Sequence, residues 1–230
     1  MPSLRSTPCA ERGGSILYDL ESPAMRSPGV LSLSLTLLLA ALSPAGRGQD
    51  GTGAIEGTIA WPGDLDPSHV VVYLEGDLDR GDPARVHVVQ SGVQFTPSFV
   101  AFPMGGHIAF VNDEPREITH NVFSRSPAWS VDLGLFGPGS ERESEFPSPG
   151  LVRVMCSIHR QMQMDVYVTP NRFFALPQGG RFRISGVPPG THALRGWSAN
   201  NRLKSARADA VVEAGKATRI DLVLESRSVR

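Results

Sequence analysis

Hydrophobic and polar residues alternate in short runs along most of this chain, and turn-forming residues separate the runs. Ile108 and Phe110 form one such pair, and Val152 and Val154 form another, each with a small or polar neighbour between. A period of two is typical of half-buried strands. The pattern predicts strands over residues 54–59, 70–74, 86–90, 98–102, 107–111, 120–123, 143–146, 151–155, 164–168, 181–184, 192–197, 210–213 and 220–224.

The composition agrees with an all-β protein rich in turns. The 230 residues include 24 glycines and 19 prolines, and only 7% are aromatic. Residues 84–168 carry seven strand-like runs, which favours an antiparallel sandwich or a small barrel. Residues 53–75 hold too few strands to fold alone, and residues 172–225 are too few for an independent core. We expect these two flanking pieces to form one small β-sandwich into which 84–168 is inserted, and a simple tandem of two sandwiches is the alternative.

The charge balance bears on the class of partner. With 22 basic and 23 acidic residues the formal net charge is -1. A nucleic-acid-binding protein needs a basic face to neutralise phosphates. The sequence therefore predicts no nucleic-acid partner.

The amino terminus carries an apolar run from Val30 to Leu42. The run is shorter than the roughly 20 residues of a transmembrane helix and suits the apolar part of a secretory signal. We interpret residues 1–48 as a signal with an upstream extension, and Met25 as the expected start. The mature protein is then periplasmic or otherwise exported, with no stable membrane insertion after signal removal.

Export changes the interpretation of the two cysteines. Cys9 lies in the segment expected to be removed, so the mature chain keeps only Cys156 and forms no internal disulfide. In an oxidising compartment a lone thiol is a liability unless it is buried or bound to a metal. Cys156 is therefore the first candidate for a site residue.

The residues after Cys156 indicate a metal. His159 follows it by three positions and Met162 by six, so a thiolate, an imidazole and a thioether can turn to one side of a tight loop. Soft sulfur ligands with imidazole favour copper, whereas a thioether is a poor fourth ligand for zinc. His120 begins a strand after a turn-rich loop and would complete a trigonal plane of two histidines and a cysteine with a long axial methionine. That arrangement is typical of a blue-copper electron-transfer site.

The ordered segments around these residues resemble the cupredoxins, nearest to the amicyanin and plastocyanin-like group. The matching segments are 106–112, 120–122, 146–150 and 156–168, and the resemblance covers 84–168. It implies a Greek-key sandwich with one type 1 copper ion held by His120, Cys156, His159 and a methionine. Met162 has the spacing of amicyanin-like loops, and Met164, with the spacing of longer plastocyanin loops, is the alternative. The resemblance also implies that Asn121 braces the cysteine loop through hydrogen bonds.

A second resemblance concerns the flanking pieces. Residues 53–59 with 70–74, and residues 180–194, resemble a carboxypeptidase regulatory-like, or transthyretin-type, β-sandwich. This resemblance implies a fold and no catalysis. Together the two resemblances suggest an exported protein of the methylamine-utilisation type.

The implied function is one-electron transport by Cu(I)/Cu(II) cycling, with a redox protein docking near His159. Arg160, Gln161 and residues 103–106 are expected to rim the docking patch. Two alternatives stay open, a copper-binding or delivery protein and a structural binding module with a vestigial copper site. An enzyme is not expected, because the chain has no His-x-His pair for further copper ions and no second loop cysteine for a binuclear centre.

The remaining histidines and the tryptophans match no metal-ligand spacing. We expect structural or exposed roles for these histidines and packing roles for the tryptophans, namely His69, His87, His107, His192, Trp61, Trp129 and Trp197.

Overall fold

The computed structural model describes residues 51–63, 65 and 69–227. The predicted signal, with Met25 and Cys9, lies outside these residues. Within the described part of the chain there is no helix, and the strands form four sheets. The predicted all-β sandwich fold is confirmed.

Nine strands from the middle of the chain form two of these sheets. One sheet has the order β4-β3-β6-β9 and the other the order β5-β11-β10-β7-β8. Buried side chains from both sheets, such as Phe110 and Val152, share one core, so the sheets pack face to face as a first sandwich. The strands are β3 (Arg85–Ser91), β4 (Gln94–Thr96), β5 (Phe99–Pro103), β6 (Gly106–Asn112), β7 (His120–Phe123), β8 (Asp132–Phe136), β9 (Glu141–Phe146), β10 (Gly150–Met155) and β11 (Gln163–Thr169).

The first two strands pair with strands that follow the first sandwich. The strands of this second sandwich are β1 (Gly53–Ala60), β2 (Val70–Leu74), β12 (Phe174–Ala175), β13 (Arg181–Val187), β14 (Gly190–Ser198), β15 (Ala206–Val212), β16 (Ala217–Arg219) and β17 (Leu222–Val223). β1 lies between β13 and β16 and also pairs with β17, and the facing sheet has the order β12-β2-β14-β15. The chain thus leaves this sandwich after β2 and returns to it at β12. The bounds predicted for the two domains stay a prediction.

Strand β11 joins the two sandwiches because both of its faces are buried. Val166 and Val168 point into the core of the first sandwich. Tyr167 points the other way, where its hydroxyl lies 2.9 Å from that of Tyr73 and its ring lies 4.3 Å from that of Trp197, tilted by 36°. An alternating strand that packs on both sides fixes the relation between the sheets it touches.

The direction of β5 corrects one expectation. β5 runs parallel to β11, with Phe99 opposite Asp165 and Pro103 opposite Thr169. Met155, next to Cys156, pairs with Gln163 at the other end of β11. Residues 103–106 therefore lie at the opposite end of the sandwich from the Cys156 loop, and the prediction that they rim the docking patch is wrong.

Four short strands were not predicted, namely β4, β8, β12 and β16. β8 shows the reason. It is an edge strand in which only Phe136 is buried, and Gly134 adopts a positive φ of 73°. Val131, Leu133 and Leu135 do alternate with Asp132 and Gly134, but aspartate and glycine are disfavoured in strands and so mask this short run.

A substitution at Gly57 tests how closely β1 packs against the returning chain at Ile220. A β carbon at Gly57 would lie 1.7 Å from the carbonyl oxygen of Ile220, which is backbone and cannot swing aside. We expect Gly57→Ala to lower the free energy of unfolding by about 2–4 kcal/mol, measured by urea denaturation. Gly63→Ala is the control, because no atom lies within 4 Å of the added carbon. A loss at Gly57 no larger than at Gly63 would contradict the close packing of β1 on the returning chain.

Candidate metal centre

Three of the predicted ligands lie at one end of the first sandwich. His120 is the first residue of β7 and is fully buried, and Cys156 directly follows β10. The loop that carries His159 is closed by two backbone hydrogen bonds, from Met162 N to His159 O at 2.9 Å and from Cys156 N to Met162 O at 3.1 Å. This tight turn brings His159 back towards Cys156.

The structure brings His120, Cys156 and His159 together. One ligand atom from each lies within 4.8 Å of the other two, and no other such group occurs among the described residues. Cys156 Sγ lies 3.8 Å from His159 Nδ1, and the two imidazole rings meet edge to face at 5.1 Å. Two imidazoles and a thiolate therefore converge on a single point.

The two candidate methionines occupy different positions. Met162 lies in the loop and is 1% exposed, whereas Met164 lies in β11 opposite Val154 and is 2% exposed. Both side chains belong to the same core cluster as Cys156. A residue in the ligand loop is better placed to serve as an axial ligand than one fixed by strand pairing. Met162 therefore stays the predicted axial ligand, and Met164 the alternative.

A buried carboxylate that sequence analysis missed holds His120. Glu114 Oε1 lies 2.9 Å from His120 Nε2 and also accepts a hydrogen bond from Val93 N at 2.8 Å. The Val93 bond is the main reason that the pKa of Glu114 lies below its ordinary value, against the opposing effect of burial. An ionised carboxylate only accepts hydrogen bonds, so the hydrogen between the two side chains belongs to His120 Nε2.

The other ring nitrogen of His120, Nδ1, remains available to bind a metal ion. Nδ1 is buried and has no hydrogen-bond partner among the described residues. With the hydrogen on Nε2, this nitrogen carries a lone pair. Buried polar atoms are nearly always partnered, so an unpartnered nitrogen beside a thiolate and a second imidazole fits a metal ion. The soft donor set fits copper.

Asn121 contacts the cysteine loop as the resemblance implied. Its backbone N–H lies 3.5 Å from Cys156 Sγ, and its side-chain oxygen accepts a hydrogen bond from Ser157 N at 3.2 Å. Its amide nitrogen donates to Asp132 Oδ1 at 2.7 Å. Hydrogen bonds from Gly134 N and then from Asn121 keep the pKa of Asp132 below its ordinary value. Asn121 thereby ties the ligand loop to β7 and β8.

The surface beside the site is apolar and includes one basic side chain, Arg160. His159 is half-buried, Ile158 is 49% exposed and Leu135 is 59% exposed. Leu135 pairs with Asn121, which places it next to the ligand loop. Arg160 and Gln161 are exposed in the loop itself.

The other histidines do not join the cluster. His107 Nδ1 lies 3.5 Å from Glu143, and His192 Nε2 lies 2.7 Å from the Pro188 carbonyl oxygen. His87 is exposed on β3. His69 lies at the junction of the sandwiches, 3.2 Å from Asp165.

No protein-family model matches this chain, and no curated protein matches it either. Among solved structures, a purple cupredoxin from Nitrosopumilus maritimus has 18% identity and a TM-score of 0.33, covering 36% of this chain and 99% of its own. Amicyanin from Paracoccus versutus has 14% identity and a TM-score of 0.33, covering 43% of this chain and 97% of its own. A copper-containing nitrite reductase from Thermus scotoductus has 21% identity and a TM-score of 0.36, covering 48% of this chain and 28% of its own.

These structural neighbours are cupredoxins, or contain copper, at low identity and partial coverage. The carboxypeptidase regulatory-like resemblance finds no support among them and stays a prediction. Within the described residues, no helix has the length and apolar character to cross a membrane.

The role of Glu114 Oε1, which accepts hydrogen bonds from both Val93 and His120, can be tested in the metal-free protein. Glu114→Ala leaves the buried His120 N–H and the partly buried Val93 N–H without an acceptor, and we expect it to lower the free energy of unfolding by about 2–4 kcal/mol in urea at pH 7. Glu114→Gln keeps an oxygen in the same place and loses only the charge assistance, so we expect a loss below about 1.5 kcal/mol.

The control for this pair is Glu117→Ala, since Glu117 is exposed in the same loop. We expect a change within about 0.5 kcal/mol there. Equal losses for the alanine and glutamine variants at position 114 would show that the charge, rather than the shared oxygen, holds the loop.

Proposed function

We propose that this protein is an exported type 1 copper protein that carries single electrons between redox partners. The observation that carries the proposal is the convergence of ligand atoms from His120, Cys156 and His159, together with a His120 Nδ1 that is buried and unpartnered within the described part of the chain. Two imidazoles and a thiolate with a nearby thioether are the donor set of electron-transfer copper sites. Bound copper would supply one-electron cycling between Cu(I) and Cu(II).

The residues around the ligands support a rigid site. Glu114 fixes the ring and the tautomer of His120, and Asn121 holds both Cys156 and the following turn. Ligands held in this way before the metal binds move little when the charge of the site changes. A small rearrangement favours fast electron exchange, and the hydrogen bond to Cys156 Sγ tunes the potential.

A redox protein would dock at the apolar surface near His159. Ile158 and Leu135 flank this partly exposed ring, and Arg160 adds positive charge beside it. Electron-transfer encounters bury little area and dissociate quickly, which a small apolar patch suits. The charge of Arg160 favours a partner with an acidic rim.

Electron transport is favoured over catalysis by the residues available. Copper enzymes that need further metal ions require further clusters of histidine or cysteine. Only one group of possible metal ligands occurs in the described residues, and Cys156 is the one free cysteine among them. Its depth in the core also leaves little room for a substrate beside the thiolate.

The deciding experiment adds Cu(II) to the purified mature protein and records the visible and EPR spectra. We expect one copper per chain and an intense thiolate-to-copper charge-transfer band, because Cys156 supplies the only thiolate of the site. Cys156→Ser should abolish the band, and Ser157→Ala is the matched control in the same loop. A colourless protein that holds Cu(I) would indicate copper delivery instead, and a protein without copper affinity would indicate a structural module.

The axial ligand is settled by comparing Met162→Leu with Met164→Leu. Both changes nearly conserve volume in a buried position, so each is expected to cost less than about 1.5 kcal/mol of stability. Only the loss of an axial thioether weakens Cu(II) relative to Cu(I), so we expect Met162→Leu to raise the reduction potential and Met164→Leu to leave it unchanged. The reverse result, measured by redox titration, would assign Met164.

A further inference from the structure

A cleft lies where the two sandwiches meet, away from the cluster of His120, Cys156 and His159. It has a volume of about 740 Å³ and is lined by the end of β1, the starts of β2 and β5, and the turn before β13. The volume falls in the range of small-molecule sites. Trp61, Phe99 and Leu176 supply apolar surface, and Leu176 is 38% exposed at the cleft.

One histidine brings an acceptor into this apolar cleft. His69 stacks on Phe99 at 4.6 Å with the rings nearly parallel, and its Nδ1 lies 3.2 Å from Asp165 Oδ2. Arg153 binds both oxygens of the buried Asp165, at 3.0 and 3.4 Å. With its hydrogen on Nδ1, facing the Asp165 carboxylate, the neutral imidazole carries a lone pair on Nε2. No described residue hydrogen-bonds to Nε2.

The backbone holds His69 in an uncommon conformation. Its φ is 57°, in the left-handed region that residues other than glycine seldom adopt. The Ala199 N–H, just after β14, donates a hydrogen bond to the His69 carbonyl oxygen at 3.1 Å and so supports this backbone conformation. Strained residues of this kind are concentrated at functional sites.

The charges around the cleft restrict the ligand. Among the described residues that line it, His69 is the only one with an acidic or basic side chain. Behind the histidine, Asp165 is paired with Arg153. A charged ligand would therefore lose hydration without finding a counter-charge among the described lining residues. The cleft suits a neutral molecule.

We propose that this cleft binds a neutral aromatic compound with a hydroxyl group, a phenol, whose O–H donates to His69 Nε2. The ring would lie against Trp61, Phe99 and Leu176. A sugar is disfavoured because it presents many hydroxyl groups, whereas the described lining offers polar side-chain groups only from His69, Gln178 and the Trp61 indole. The proposal does not depend on the copper site.

The test compares p-cresol with toluene, which has the same ring and methyl group but lacks the hydroxyl. Binding to the mature protein is followed by NMR shifts of the Trp61 indole and His69 ring protons. We expect p-cresol to bind about fivefold more tightly than toluene, as one net hydrogen bond provides. Methyl β-glucoside is the third probe, and we expect no binding.

Two variants locate the site. His69→Asn suits the left-handed backbone but places no acceptor at Nε2, and should remove the preference for p-cresol over toluene. Leu176→Glu adds a charge at a partly exposed position and should weaken both ligands without loss of fold. His192→Asn, in β14 outside the cleft, is the control and should change neither affinity.

Four results would overturn the proposal. These are the absence of p-cresol binding, equal affinity for toluene, tighter binding of the glucoside, and an unchanged preference in His69→Asn. Copper binding by the same samples, measured in parallel, reports on the metal site independently. Failure of one proposal is therefore distinguishable from failure of the other.

Discussion

The burial of strand β11 on both faces is the constraint on which the rest of this structure depends. Its inward side chains complete the core that contains Cys156 and both candidate methionines. Its other face packs on the second sandwich through Tyr167 and presents Asp165 to His69. A strand whose two faces are both covered has little freedom to tilt or slide, because any shift would disturb two cores at once. The metal ligands and the cleft are therefore fixed relative to one strand.

The metal centre depends on a second balance, between burial and hydrogen bonding. Burying the Glu114 carboxylate is costly unless its oxygens are paired. Here one oxygen receives two N–H groups, from Val93 and His120, so one carboxylate both closes its own loop and orients the ligand ring. Asn121 acts similarly on the other side of the site, where three hydrogen bonds link β7, β8 and the cysteine turn. The ligands are thus held by the fold itself.

Local spacing accounts for what the sequence predicts well. Cys156, His159 and Met162 lie in one short turn, so their proximity follows from the chain, and the strands on either side alternate clearly. Long-range partners are different. Glu114 meets Val93, 21 positions away, through the folding of separate loops, and His69 meets Asp165 across 96 positions. An acidic residue in the loop before His120 was the available signal for Glu114. The direction of β5 relative to β11 also does not follow from the sequence pattern. Residues 103–106 were therefore expected beside the Cys156 loop, whereas they lie at the opposite end of the sandwich.

The alternation of β11 links the two sites more closely than their separate chemistry suggests. Met164 and Asp165 are neighbours on opposite faces of the strand, one in the core beside Cys156 and the other bound to His69. A shift of one residue in register would exchange these faces, placing the carboxylate in the apolar core and the thioether against the imidazole. The six pairs between β10 and β11 prevent this shift, from Gly150 with Val168 to Met155 with Gln163. Residues can therefore be inserted in the turn between Cys156 and Met162 only if that register is kept, since the same pairing positions the metal ligands and the cleft histidine.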